Sequence, residues 1–224
     1  MPLDEADDTQ SFTLNGVLGT AVATGLVVAL VTGLAAYSAG RASAPVPAMP
    51  DTVSAEAGFA RDMQVHHIQG VEMAMIIRDR SDDPAVRGLA YDIATTQSHQ
   101  AGQLYGWLAE WGLNQLGPEA PMTWMMRMPG AEGAPHEMAM SMNALMPGMA
   151  TEAQMQELAE ASGVAAERLF LQLMIAHHQG ALDMAEAVLE RSEHGNTRTF
   201  ATAVLTSQQS EIDLMNEMLA ARQP

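Results

Sequence analysis

The chain has no cysteine, which excludes disulfides and thiolate metal sites and leaves nothing in cysteine usage to mark a compartment. It also has no lysine. Ten arginines face 27 acidic residues, for a formal charge of −17. That balance argues against a nucleic-acid partner, which needs a basic face, and suits solubility and cation attraction. No stretch keeps the two-residue alternation of a half-buried strand. A glycine-rich phosphate loop, a nucleophile elbow and a His-Glu-x-x-His zinc motif are all missing. The residue three before each helical histidine is Met63, Gln64, Thr96, Met174 or Ile175, never an acid, so the Glu-x-x-His pair of a di-iron bundle is missing too. A metal oxidase is disfavoured on that ground, and no enzymatic role is expected.

Methionine is abundant, at 19 residues. Thioethers are soft ligands suited to Cu(I), although methionine is also an adaptable core filler. Two stretches place it around paired histidines. Met174 to Ala185 holds His177-His178, and Met63 to Ala74 holds His66-His67, in an ungapped register at an offset of 111. Phe59, Met63, Met73, Ala74, Arg80 and Ser81 map onto Phe170, Met174, Met184, Ala185, Arg191 and Ser192. This self-similarity reads as a duplicated helical hairpin.

Residues 1–15 form an acidic tail. Gly16 to Tyr37 carries no charge and is long enough to cross a bilayer. The segment lacks the basic start usual in a signal peptide, and Pro45 disfavours cleavage after Ala42-Ser43-Ala44, so an uncleaved anchor is preferred over a signal. Arg41, the one flanking cation, biases the following domain weakly toward the cytoplasm. Residues 38–53 read as a stiff proline-rich linker. A four-helix domain over 54–222 follows, with helices expected near 54–80, 84–111, 165–193 and 197–222. Asp83-Pro84 reads as a cap and first turn, Thr151 to Gln154 as a capping box starting a short helix that ends at Gly163, and His194 as a turn or cap residue. Residues 117–149 read as a proline-broken loop holding nine methionines and His136. A loop offers no core to fill, so Met122, Met125, Met126, Met128, Met138, Met140 and Met142, with His136, form a second candidate metal site.

At about 100° per residue, Phe59, Met63, His66, Gly70 and Met73 share one stripe, and Phe170, Met174, His177, Ala181 and Met184 share its counterpart. His66 and His177 then lie at the centre of the buried face, with His67 and His178 at its edge. The outer helices are expected to turn Ile93, Thr96, Gln100, Gln103 and Trp107, and Val204, Ser207, Glu211, Leu214 and Met218, inward. Gln100 and Glu211 would support the imidazoles from behind. The candidate ligands are His66, His67, His177, His178, Met63, Met73, Met174 and Met184, while hydrogen-bonded core packing remains the alternative. Adjacent helical histidines diverge by about 100°, so convergence must come from different helices. Imidazole binding is expected to weaken near pH 6, and thioether binding to persist.

The paired motifs, with the run Met146-Pro147-Gly148-Met149, resemble a bacterial family known as domain of unknown function 305. Glu167 and Gln172 depart from its usual acids. The resemblance implies a ferritin-like four-helix bundle over about 54–222. It also implies a copper ion held outside the cytoplasm by His66, His67, His177, His178 and nearby methionines, in metal tolerance. The expected protein is a single-pass cell-membrane protein that binds or buffers copper. The alternative is a structural or interaction module without metal. No protein partner can be read from the sequence.

Overall fold

Three of the four long helices of the bundle start where a side chain takes over an unpaired backbone donor. The computed structural model describes residues 9–43, 49–127 and 145–222, except the side chains of 9–20 and 42. Ser54 Oγ accepts from Ala57 N ahead of α2, Ala55–Arg80. Asp83 accepts from Ala85 N and Val86 N ahead of α3, Pro84–Glu110, whose first residue is the proline. Thr151 and Gln154 close a capping box on α4, Glu152–Glu160. His194 Nδ1 accepts from Thr197 N ahead of α6, Gly195–Ala220. Such caps satisfy donors that the first turn cannot. The short helix does not reach Gly163. It ends at Glu160, and Gly163, with φ of 57°, instead opens α5, Gly163–Arg191.

The N-terminal helix α1, Thr9–Ser43, belongs to a unit of its own, Met1–Ala48. It continues past Tyr37 into the expected linker. Its stretch Ala21–Arg41 is long and apolar enough to cross a membrane, and none of it is buried. Residues 44–48 of the linker lie outside the described residues.

In the second unit α2 packs against α3 and α5, and α5 packs against α6. The apolar core splits in two. Phe59, Met63, Leu104, Trp107, Met184, Val188, Phe200 and Val204 belong to one cluster. Met73, Ile77, Ile93, Phe170, Leu171, Met174, Ile212 and Met215 belong to the other. Each of the four long helices contributes to both, and on each the buried residues between the two sets include polar ones: His66-His67, Gln97, His177-His178 and Gln208. The bundle thus has a polar belt across its waist.

The ends of the hairpins are tied reciprocally. Ser81 Oγ, just past α2, donates to Glu167 Oε1 at 2.7 Å, and Ser192 Oγ, just past α5, donates to Glu56 Oε1 at 2.5 Å. Arg87 donates to the carbonyls of Arg78 and Ser81, and Arg198 to those of Leu189 and Ser192. These pairs follow the same offset as the histidine motifs. Arg222 adds ion pairs to Glu167 and Asp83, each at 2.7 Å. Glu167 is therefore a structural clasp, and Gln172 is exposed.

Candidate metal centre

His66 and His177 are brought together from α2 and α5, with ring centroids 3.8 Å apart and planes inclined by 30°. Gly70 makes this approach possible. A Cβ there would lie 2.9 Å from His177 Cε1 and 2.1 Å from Gln97 Oε1. His67 and His178 flank the pair at 6.4 and 6.2 Å from their neighbours' ring centroids. All four side chains are fully buried. The wheel placed His67 and His178 at an edge, but α2 and α5 are each flanked by more than one helix. Their buried arc is wider than a single-face wheel allows.

Three of the imidazoles are anchored alike. His66 Nε2 donates to the Pro147 carbonyl at 3.2 Å, His177 Nε2 to the His66 carbonyl at 2.8 Å, and His178 Nε2 to Glu211 Oε2 at 2.5 Å. Carbonyls and carboxylates only accept, so Nε2 carries a hydrogen in each ring, and in the neutral ring Nδ1 keeps a bare lone pair. All three Nδ1 atoms are buried without a partner. Metal-binding histidines typically donate their other N–H to such acceptors, which fixes the tautomer and strengthens the donor nitrogen. Neither His67 nitrogen has a well-formed hydrogen bond, although Gln100 stands close enough to favour its protonated form. Burial pushes the His66 imidazole down to about 4, with His178 adding to the effect and the Pro147 bond opposing it. Burial likewise lowers His67 to about 3, with His66 and His178 adding to the effect and Gln100 opposing it. His177 falls well below the usual histidine range for the same first cause. His66 and His67 therefore stay neutral below pH 6 in the folded protein, so protonation of these rings sets in lower than the sequence suggests.

The rest of the belt is amide. Gln97 and Gln208, one on each outer helix, bury both side-chain polar atoms without partners. The expected stripe holds at Ile93, Trp107 and Val204, which are buried, but not along its whole length. Thr96, Gln103 and Leu214 are exposed and Ser207 is half-buried, while Gln97, Leu104, Gln208, Ile212 and Met215 face inward. Gln100 and Glu211 are half-buried, as supports at the rim. One signal could have found Gln97 and Gln208: they are separated by the same offset as the histidine motifs.

The four flanking methionines are buried, Met63 and Met184 in one apolar cluster, Met73 and Met174 in the other. The loop methionines divide. Met122 is buried in the core beside Trp124, held because Asp62 Oδ2 accepts from Met122 N and Trp124 Nε1. Met125 packs against that core, Met126 is exposed, and Met146 is buried. The segment thus does fill core at its two ends. Met128, His136, Met138, Met140 and Met142 lie outside the described residues.

The turn Met146 to Ala150 seals one side of the belt. Gln69 pairs with Ala150 through both amide atoms, at 2.8 and 2.7 Å, and Gly148, with φ of 79°, sits against His177 Cα. A Cβ on Gly180 would lie 2.0 Å from the Pro147 oxygen. Gly180→Ala should therefore push the turn away, release His66 Nε2, and cost about 1–3 kcal/mol in thermal or urea melts. Gly102→Ala, at a helical position with open space around it, should instead gain about 0.5–1 kcal/mol. Equal effects at the two sites would contradict the sealing role.

Among the described residues, no group of three or more His, Asp or Glu side chains is arranged to hold a metal ion. Stacked rings run their lone pairs side by side, so the imidazoles would have to turn to share an ion. The donor chemistry fits a borderline or soft metal, because it offers bare neutral imidazoles flanked by thioethers.

These features define a helical bundle with a buried imidazole and amide belt. The chain belongs to the domain of unknown function 305 family, whose model matches residues 56–219. It is similar to a Streptomyces coelicolor protein of this family described as secreted, at 46% identity over 77% of this chain and 96% of that one, with a TM-score of 0.68. A Deinococcus radiodurans fragment of the family is 31% identical over 75% of this chain and 96% of that one, with a TM-score of 0.59. CopM, solved in a Cu(I)-bound form, shares the fold at 20% identity over 76% of this chain and 99% of that one, with a TM-score of 0.55. Comparison with curated proteins returns no match.

Proposed function

We propose that this is a membrane-anchored copper-binding protein whose bundle lies outside the cytoplasm and holds or buffers the ion without catalysis. The observation that carries the reading is the common anchoring of His66, His177 and His178. Each has Nε2–H fixed on an acceptor and Nδ1 bare in a sealed belt. Unpaired buried polar atoms cost about 1–3 kcal/mol each, so a belt this rich in them has a physical reason to take up a ligand. CopM, which shares the fold, has been solved with Cu(I) and with Cu(II). The apolar helix α1 supports attachment to a membrane, and the secreted relative supports an extracytoplasmic bundle. The stacked rings and the lack of a preformed ligand cluster favour the second reading, a structural module whose histidines only pack.

His66, His67, His177 and His178 would supply the belt ligands, with Met63, Met73, Met174 and Met184 close by on the same helices. Residues 128–144 would add a thioether site. Copper titrations of the full-length chain should separate two classes of site. The His66→Ala/His177→Ala variant should lose one class, and a deletion within residues 128–144 the other. Cu(I) should prefer the thioether class, and Cu(II) should require the imidazoles. A single class indifferent to the histidine changes would leave the belt as core packing.

A further inference from the structure

The two halves of the belt are not chemically equal. The offset that relates His67 to His178 also relates Gln100 to Glu211, the rim residues beside these rings. One is a neutral amide and the other a carboxylate. The difference shows in the bonding. His178 Nε2 donates to Glu211 Oε2 at 2.5 Å, whereas both His67 nitrogens and the Gln100 oxygen are buried without a partner. His178 thus has one fixed tautomer with Nδ1 free, and His67 has none imposed. Glu211 is the one acid bonded to a belt ring among the described residues, and its side chain keeps 24% of its exposure, so water still helps to hold its charge.

A cation entering a dry interior needs a counter-charge, and attraction between opposite charges grows as the dielectric falls. Glu211 supplies that charge through the ring that would bind the ion. Nothing equivalent stands behind His67.

Building on the copper-binding reading, we infer that Glu211 is a positioning residue that makes His178 the primary cation position of the belt, with His67, backed by Gln100, its weaker counterpart. The two positions fill in order. The ligand class is a soft or borderline metal cation, Cu(I), Ag(I) or Cu(II).

The test uses the full-length chain, with Ag(I) as a redox-inert probe and nitrogen-15 NMR of the histidine rings as readout. In the wild type, substoichiometric Ag(I) should shift the His178 Nδ1 resonance before those of His67. Glu211→Gln keeps the shape and removes the charge. It should weaken the first binding event about 10–100-fold, the usual loss when a partner behind a ligating histidine is removed. Gln100→Glu should strengthen binding at His67, and the double exchange should reverse the filling order. Melting of each metal-free variant shows that it folds, and Gln100→Glu carries the test independently if Glu211→Gln does not. Ring shifts without this order, or an order unmoved by either exchange, overturn the inference alone. No ring shift at all overturns the copper-belt reading and the inference with it.

Discussion

Replacing Gln97 and Gln208 with methionine should raise the melting temperature of the metal-free protein. Both glutamines are buried, and neither amide oxygen nor nitrogen has a hydrogen-bond partner. A buried polar group without a partner costs about 1–3 kcal/mol, and an apolar side chain of similar shape removes that cost. Methionine matches glutamine in length and is flexible enough to fill the same space, beside Gly70 in the case of Gln97. The two positions lie on different outer helices, so the gains should come close to adding. For a domain of this size each kcal/mol moves the midpoint by about 2–4 °C. The same variant should bind copper less well if the amides help to shape the belt, which is the usual exchange of function against stability. A melting temperature that stays level or falls would mean the amides find partners in solution, and the belt would then be a satisfied network.

The metal-free protein should also unfold on mild acidification. In the native state His66 titrates at about 4 and His67 at about 3, and His177 is lowered as well. In the unfolded chain all three return to about 6.5. Below that value the unfolded state takes up protons that the native state refuses. Stability is therefore intact above pH 6.5 and falls as the pH drops, until each native pKa is reached. The slope is about 1.4 kcal/mol per pH unit for one histidine, so roughly 4 kcal/mol per unit for three. Against a typical net stability of about 5–15 kcal/mol, one to two pH units should be decisive. Asp62 works the other way: burial raises its carboxyl, so proton uptake there favours the native state at the lower end of the range. Urea melts between pH 7.5 and 4.5 with a chelator present would measure the slope. His67→Phe should remove one histidine's share of it. A flat profile would place the rings in contact with water.

Much of the architecture was legible because its signals are local. Asp83, Thr151 and His194 mark helix starts by the chemistry of their own side chains. The paired histidines announce themselves by repetition. Orientation was harder to read. A wheel scores one helix against one buried face, whereas His67 and His178 are covered by neighbours that the wheel does not know about. On α3 and α6 two helical stripes compete, and choosing the one through Thr96 and Leu214 hid Gln97 and Gln208. Met122 and Met146 misled for a different reason. Their segment lacks helical periodicity, so nothing local reveals that its ends fold back onto the core. Groups distant in sequence, among them the Asp62 carboxylate, the Gln69 amide, His66 and Arg191, hold these ends there.

The complete burial of the four rings also governs time. On the copper-binding reading, an ion could not reach a sealed imidazole by diffusion alone. It would have to wait for α2 and α5 to part from their outer partners, or for the Met146 to Ala150 turn to lift. Loading and release would then both run at the frequency of local opening, a property of the packing around the belt. Two proteins with the same ligands and the same affinity could thus exchange metal on very different timescales. Here the Ser81–Glu167 and Ser192–Glu56 ties, at the hairpin ends, would hold the opening rate down.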